Sequence, residues 1–171
     1  MRKKLLLFGL IVGLLIAFTT NFSCKKNDQN YLNTLLTTGH WQFASLVVTQ
    51  FHGDTTISTD TLFSDCSLAQ NFTFNPNGTC TYTDFSCVQQ SATGHWSFSK
   101  DYLYLMSDMA CQDTIPSDTT VNGSYVPFKN AKIVNLGQYS LVLKTGDLQQ
   151  FYAPNQKRTI NVFGFVRVKS Q

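Results

Sequence analysis

A chain of 171 residues with 13 Lys and Arg and five cysteines has room for one domain of ordinary size and not for a multi-domain assembly. All ten acidic residues are Asp, while Thr and Ser fill 34 positions and aromatics 23, a bias that excludes an all-helical bundle and any mechanism requiring Glu, such as the H-E-x-x-H metalloprotease or the Glu-based di-iron bundle. The formal charge of +3 rests on Arg2, Lys3 and Lys4; from residue 24 onward ten basic residues balance ten acidic ones, which argues against nucleic acid as a partner.

Those three cations precede an apolar run over residues 5–18, a polar stretch over 19–23 and then Cys24. The pattern is that of a secretory leader. As a helix the run would span roughly 21 Å, short of the roughly 30 Å hydrocarbon core, so it is read as a leader rather than a membrane span. Ser23 followed by Cys24 resembles the bacterial lipoprotein signal, although Asn21 and Phe22 depart from its usual form. The resemblance implies lipidation of Cys24 and attachment to a membrane of the bacterial cell envelope, on its periplasmic or outer-surface face. On this reading residues 1–23 are the signal peptide, 24–30 a polar tether and 31–171 the folded domain. Cleavage nearby without lipidation, or Cys24 as a further disulfide partner, are the alternatives.

Tyr31, Leu32, Leu35 and Leu36 recur at three and four, predicting one short amphipathic helix. The period then changes to two. Trp41, Phe43, Ser45 and Val47 fall on one face of a strand, with His40, Gln42, Ala44 and Leu46 on the other. A turn at residues 53–55 leads into a Thr-rich strand to residue 63. Segments 70–74 and 79–85 are the arms of a hairpin about Asn75-Pro76-Asn77-Gly78, where Pro presets φ and Gly accepts a positive one. Residues 93–99 and 102–107 form another hairpin, joined at Lys100 and Asp101.

The stretch 108–126, rich in Asp, Ser, Thr and Gly, reads as a long loop with one edge strand, and Asp108, Asp113 and Asp118 as solvated acids. Strands return at 131–136, at 139–144 across Gly137-Gln138, and at 159–168. In the last, Ile160, Val162, Val166 and Val168 oppose Phe163 and Phe165, predicting a strand covered on both faces, with the N-terminal helix as the cover. About eight or nine short strands joined by sequential hairpins predict an all-β fold: an antiparallel up-and-down barrel of about eight strands with one short N-terminal helix.

With Cys24 assigned to lipid, Cys66, Cys80, Cys87 and Cys111 remain, an even number suited to an oxidising compartment. Opposed residues of the 75–78 hairpin have numbers summing to about 153 to 155, and Cys66 with Cys87 satisfies this, so a disulfide is expected between them. Cys80 and Cys111 are left as a second disulfide or as buried thiols. The absence of C-x-x-C argues against a structural metal or a redox pair.

Thr38-Gly39-His40-Trp41-Gln42-Phe43 and Thr93-Gly94-His95-Trp96-Ser97-Phe98 share five of six residues. With Phe74 to Gly78 between them, these two G-x-W motifs resemble the lipocalin-like domains of bacterial lipoproteins over residues 32–169. The resemblance implies a barrel whose interior holds a small apolar molecule. From the residues alone, the inward rows comprise Trp41, Phe43, Phe72, Phe74, Tyr82, Trp96, Phe98 and Tyr139, with Leu103, Leu105 and Leu141. They either line a pocket or fill the barrel.

His40, His52 and His95 are read as surface residues rather than metal ligands. No Walker A loop, G-x-S-x-G elbow or calcium loop is present, and no nucleophile and base stand at a workable spacing, so neither a cofactor nor an enzymatic activity is expected. Two functions remain. One is a membrane-anchored module binding a small hydrophobic ligand in the barrel; the other is a structural or protein-interaction module of the envelope with a filled barrel, acting through residues 108–126.

Overall fold

The structure is a computed structural model that describes residues 24–62, 66–112 and 124–169. The signal-peptide reading of residues 1–23 lies outside the described residues. Two compact units divide the chain, residues 1–34 and 35–171. In the first, helix α1 (Cys24–Thr37) begins at Cys24, so residues 24–30, expected as a tether, are helical. The segment contains no Gly or Pro to interrupt it. Thr34 Oγ1 donates to the Asn30 carbonyl at 2.8 Å.

The last turn of α1 belongs to the second unit, which the chain enters through Thr38-Gly39. Gly39 has φ +76°, and a Cβ there would stand 2.7 Å from the Val168 carbonyl oxygen, so only glycine turns this corner. Among the described residues eleven strands follow: β1 (His40–His52), β2 (Thr55–Leu62), β3 (Asn71–Phe74), β4 (Thr79–Thr83), β5 (Ser91–Phe98), β6 (Tyr104–Ser107), β7 (Cys111–Gln112), β8 (Ser124–Tyr125), β9 (Ala131–Leu136), β10 (Ser140–Gly146) and β11 (Lys157–Val168). Eight of them close a barrel in the order β1-β3-β4-β5-β6-β9-β10-β11, with β11 paired back to β1. All pairings are antiparallel. The fold class is thus the expected up-and-down barrel.

Strand β2 lies on the same edge of β1 as β3, pairing Leu46 to His52 while β3 pairs Trp41 and Gln42. The two behave as one strand interrupted by the segment between them. The β1–β2 hairpin and the start of β11 therefore extend beyond the barrel wall. Among its described residues, the region expected as a loop with one edge strand contains two, β7 and β8, which pair with each other in a separate small sheet.

Neighbouring barrel strands run in opposite directions, so their connections fall at two ends. The helix end receives the chain from α1 and carries the β3–β4, β5–β6 and β9–β10 turns and the end of β11. The loop end carries the β1–β2 turn and the segments after β4, β6 and β10.

In β1 the expected inward row holds for Trp41 and Phe43 and then fails. Phe43 pairs Phe165 and Ser45 pairs Gly164, leaving Ala44 as an extra residue in a β-bulge. The bulge reverses the faces, so Leu46, not Ser45 or Val47, packs on the core. In β11, Phe163 and Phe165 are buried inward and Ile160 on the opposite face, but Val166 is 45% exposed. Coverage of both faces is therefore confined to the start of that strand, at the loop end, whereas the chain passes from α1 into β1 at the other end, so the expected helical cover of β11 is not found.

Candidate functional site

At the helix end Trp41 is fully buried, and its indole Nε1 donates to the Leu36 carbonyl at 2.9 Å. The Arg167 guanidinium lies over the indole, 4.4 Å from the ring centroid, and donates to the carbonyls of Leu35 and Gly137. The Leu35 and Leu36 carbonyls are among those that the last turn of a helix leaves without intrahelical partners. One strand-opening Trp and one strand-closing Arg thus seal this mouth.

The interior is aromatic. Phe72 stacks on Phe128 at 4.9 Å between ring centroids and meets Phe74 at 4.0 Å and Tyr82 at 5.2 Å; Phe128 meets Phe163 at 5.1 Å. Trp41, Phe72, Tyr82, Leu105, Met109, Phe128, Leu141 and Leu143 have no exposed surface. A side chain that a water-sized sphere cannot touch borders no void able to hold a ligand, so around these residues the barrel is filled by itself. Burial also pushes the Tyr82 phenol far above its ordinary value, keeping it neutral.

Of the residues expected in a pocket, Trp41, Phe72, Phe74 and Tyr82 are core, while Phe43, Trp96 and Phe98 are partly buried against it. Tyr139 does not face inward. It sits in the β9–β10 turn, 62% exposed, because the chain reverses there before alternation begins at Ser140. Leu103, in the β5–β6 turn, is likewise 52% exposed. Phe128, Met109 and Phe85 supply core that periodicity missed, since all three lie in irregular segments. No local signal singled out Phe128, which follows Tyr125, Val126 and Pro127 in a segment without a period.

The two Gly-His-Trp triplets are not equivalent. The Trp96 indole is partly buried and donates to the Asn75 carbonyl at 3.0 Å, bracing the β3–β4 turn. His95 projects outward as expected, but Asp108 is not merely a solvated acid. It accepts from the His95 backbone N–H at 2.5 Å and lies 3.2 Å from the imidazole Nδ1. The backbone bond first, and the imidazole second, hold the Asp108 carboxyl below the usual carboxylate range. Together with Trp96, Met106, Val126 and Lys129 these two side chains border an open cleft of about 600 Å³ on the outer wall.

The Cys66–Cys87 disulfide is present, with Cα atoms 5.7 Å apart. It does not extend the β3–β4 ladder, which ends at the Asn71–Thr83 pair. Instead it ties the segment before β3 to a 3-10 turn (Phe85–Cys87) in which Ser86 and Cys87 have positive φ, as does Asp84 just before it. Cys80 and Cys111 are buried thiols, not a second disulfide. They stand at different levels. Cys80 Sγ lies 3.3 Å from Ser107 Oγ, whereas β7, carrying Cys111, packs on the 3-10 turn. Burial raises the Cys80 thiol above its ordinary value.

Beyond the barrel wall, the guanidinium of buried Arg158 lies over the rings of Tyr152, at 3.4 Å, and Phe51, at 5.1 Å, and donates to the Gly53 carbonyl at 3.0 Å. The Tyr152 hydroxyl donates to Asp54. These contacts clamp the β10–β11 connection to the β1–β2 turn. No family model, curated protein or solved structure matches this chain.

Proposed function

We propose that the chain is a lipid-anchored, lipocalin-like module of the bacterial cell envelope that works through its outer surface as a structural or protein-interaction element. The observation carrying this reading is the self-filled barrel: rings from β3, β4 and β11 and the Phe128 plug meet one another with no exposed surface on Phe72, Tyr82 or Phe128. Apolar groups are presented outside instead. Phe151 is 86% exposed in the β10–β11 connection, and Ile57 is exposed on β2, both toward the loop end. Among the described residues no strand covers the outer edge of β2, so its backbone groups are available to an added strand. Lipidation at Cys24 and the envelope address rest on the leader and on Ser23-Cys24.

A small amphipathic ligand is the second reading, favoured by the outer cleft beside Trp96, whose volume of about 600 Å³ lies in the range of small-molecule sites. A ligand inside the barrel would require Phe128 to leave its place. Native mass spectrometry of the chain extracted from envelopes separates the readings. Discrete protein complexes are expected, whereas a bound small molecule with no protein partner would overturn the interaction reading. Labelled palmitate should enter the native chain and not Cys24→Ala; equal labelling would remove the anchor.

A further inference from the structure

The helix end of the barrel differs from the loop end in charge, and it carries an apolar patch of its own. Among the described residues of the barrel unit, Lys100, Arg167 and Lys169 lie at the helix end with one acid, Asp101. The other described acids of this unit, Asp54, Asp60, Asp84, Asp108 and Asp147, lie on the β1–β2 hairpin or in segments leaving strands at the loop end. The helix end is therefore net cationic. Arg167 is committed to the Leu35 and Gly137 carbonyls, which leaves Lys100 and Lys169, both exposed, to meet an external anion.

Exposed apolar groups gather on the same end and its adjoining wall. Leu103 accepts through its carbonyl from Ile133 N–H at 2.8 Å, which sets it beside Val134, 58% exposed; the Tyr139 carbonyl accepts from Arg167 N–H at 3.0 Å, and neighbouring Ser140 pairs with Val166. The patch crosses β6, β9, β10 and β11, which are consecutive in the sheet. Thr38, Gly39, Gln138, Tyr139, Arg167 and Lys169 line a cleft of about 400 Å³ at its margin. This is also the end at which the chain arrives from Cys24, through a helix of 14 residues or about 21 Å.

We propose that this end rests on the membrane surface, with Tyr139 and Leu103 at headgroup depth and Lys100 and Lys169 against lipid phosphates, one headgroup entering the Tyr139–Lys169 cleft. The proposal builds on the reading that the chain is tethered at its N-terminal side. Tyrosine suits the interface because its ring is apolar and its hydroxyl wet, and cations near an anionic leaflet are attracted to it. Contact by the helix end would leave the loop end, with Phe151 and β2, facing away from the bilayer.

The test uses the full chain carrying Tyr139→Trp or Phe151→Trp, both at exposed positions. Each is reconstituted into phosphatidylcholine vesicles containing phosphatidylglycerol, with or without bromine on the acyl chains. Bromine should remove most of the added emission from Tyr139→Trp and leave that of Phe151→Trp unchanged. Adding Lys100→Gln and Lys169→Gln, or omitting phosphatidylglycerol, should cut the Tyr139→Trp quenching by more than half. Equal quenching at both positions, quenching at Phe151→Trp alone, no quenching at either, or a chain that does not float with the vesicles overturns the proposal. So does a change in Tyr139→Trp emission of the same size on adding inorganic phosphate without vesicles, which would make the cleft a site for the free anion. Quenching that persists in a chain taking up no palmitate would sink the lipid anchor and leave the contact face standing.

Discussion

Gly39 and Gly94 open the same triplet, and the fold needs each for its own reason. Gly39 turns a corner with positive φ; Gly94 sits in an ordinary strand conformation but lies under a crossing chain, where a Cβ would come within 2.7 Å of the Met109 backbone. Gly94→Ala should therefore cost about 1–3 kcal/mol of stability through overpacking, read as a lower urea midpoint with unchanged slope. Beside it, Asp108 links His95 to the same crossing. Because its folded carboxyl lies below the unfolded value, the folded state binds fewer protons than the unfolded one as pH falls toward about 4. The stabilising contribution is complete above that pH and is lost as pH drops through the folded value. Asp108→Asn should accordingly melt below the native chain at neutral pH, and the gap in Tm should close in acid; a gap that widened in acid would reverse the assignment.

Among the elements, hairpins were the readable units. The Asn75-Pro76-Asn77-Gly78 turn and strand β9 stand where turn chemistry and alternation put them. The β1 bulge at Ala44 left only a faint mark in the alternation, polar Ser45 on the expected inward row with Leu46 on the outward one, and pairing with β11 is what reveals the extra residue. The disulfide shows the converse. Its partners followed from hairpin arithmetic, yet the bond closes between a segment outside the ladder and a 3-10 turn. It bridges 21 positions, so replacing both cysteines by Ser should cost about 3 kcal/mol in the chain-entropy account. Thermal unfolding of Cys66→Ser/Cys87→Ser against the oxidised native chain measures this, and Cys80→Ala should give no comparable loss of a covalent constraint.

For the whole molecule the deciding contact is long-range. Phe128 enters the barrel from the turn before β9 and touches rings from β3, β4 and β11. Phe128→Ala should cost about 3–5 kcal/mol and leave an apolar void. Because the native barrel is filled, the variant should bind a small aromatic such as benzene and the native chain should not, as solvent-exchange NMR or a benzene-dependent rise in Tm would show. Alternation, turn residues and composition by themselves determined an antiparallel β fold, its hairpins, the Cys66–Cys87 pairing and the Trp-led strand openings, because each of these is set by local backbone preference or by short sequence separation. Tertiary structure alone decided that β2 extends beyond the barrel wall, that Phe128 fills the barrel, that Cys80 and Cys111 stay apart and that Tyr139 faces outward. Those outcomes depend on which distant segments come to share one interior, and no period or motif along the chain carries that distance.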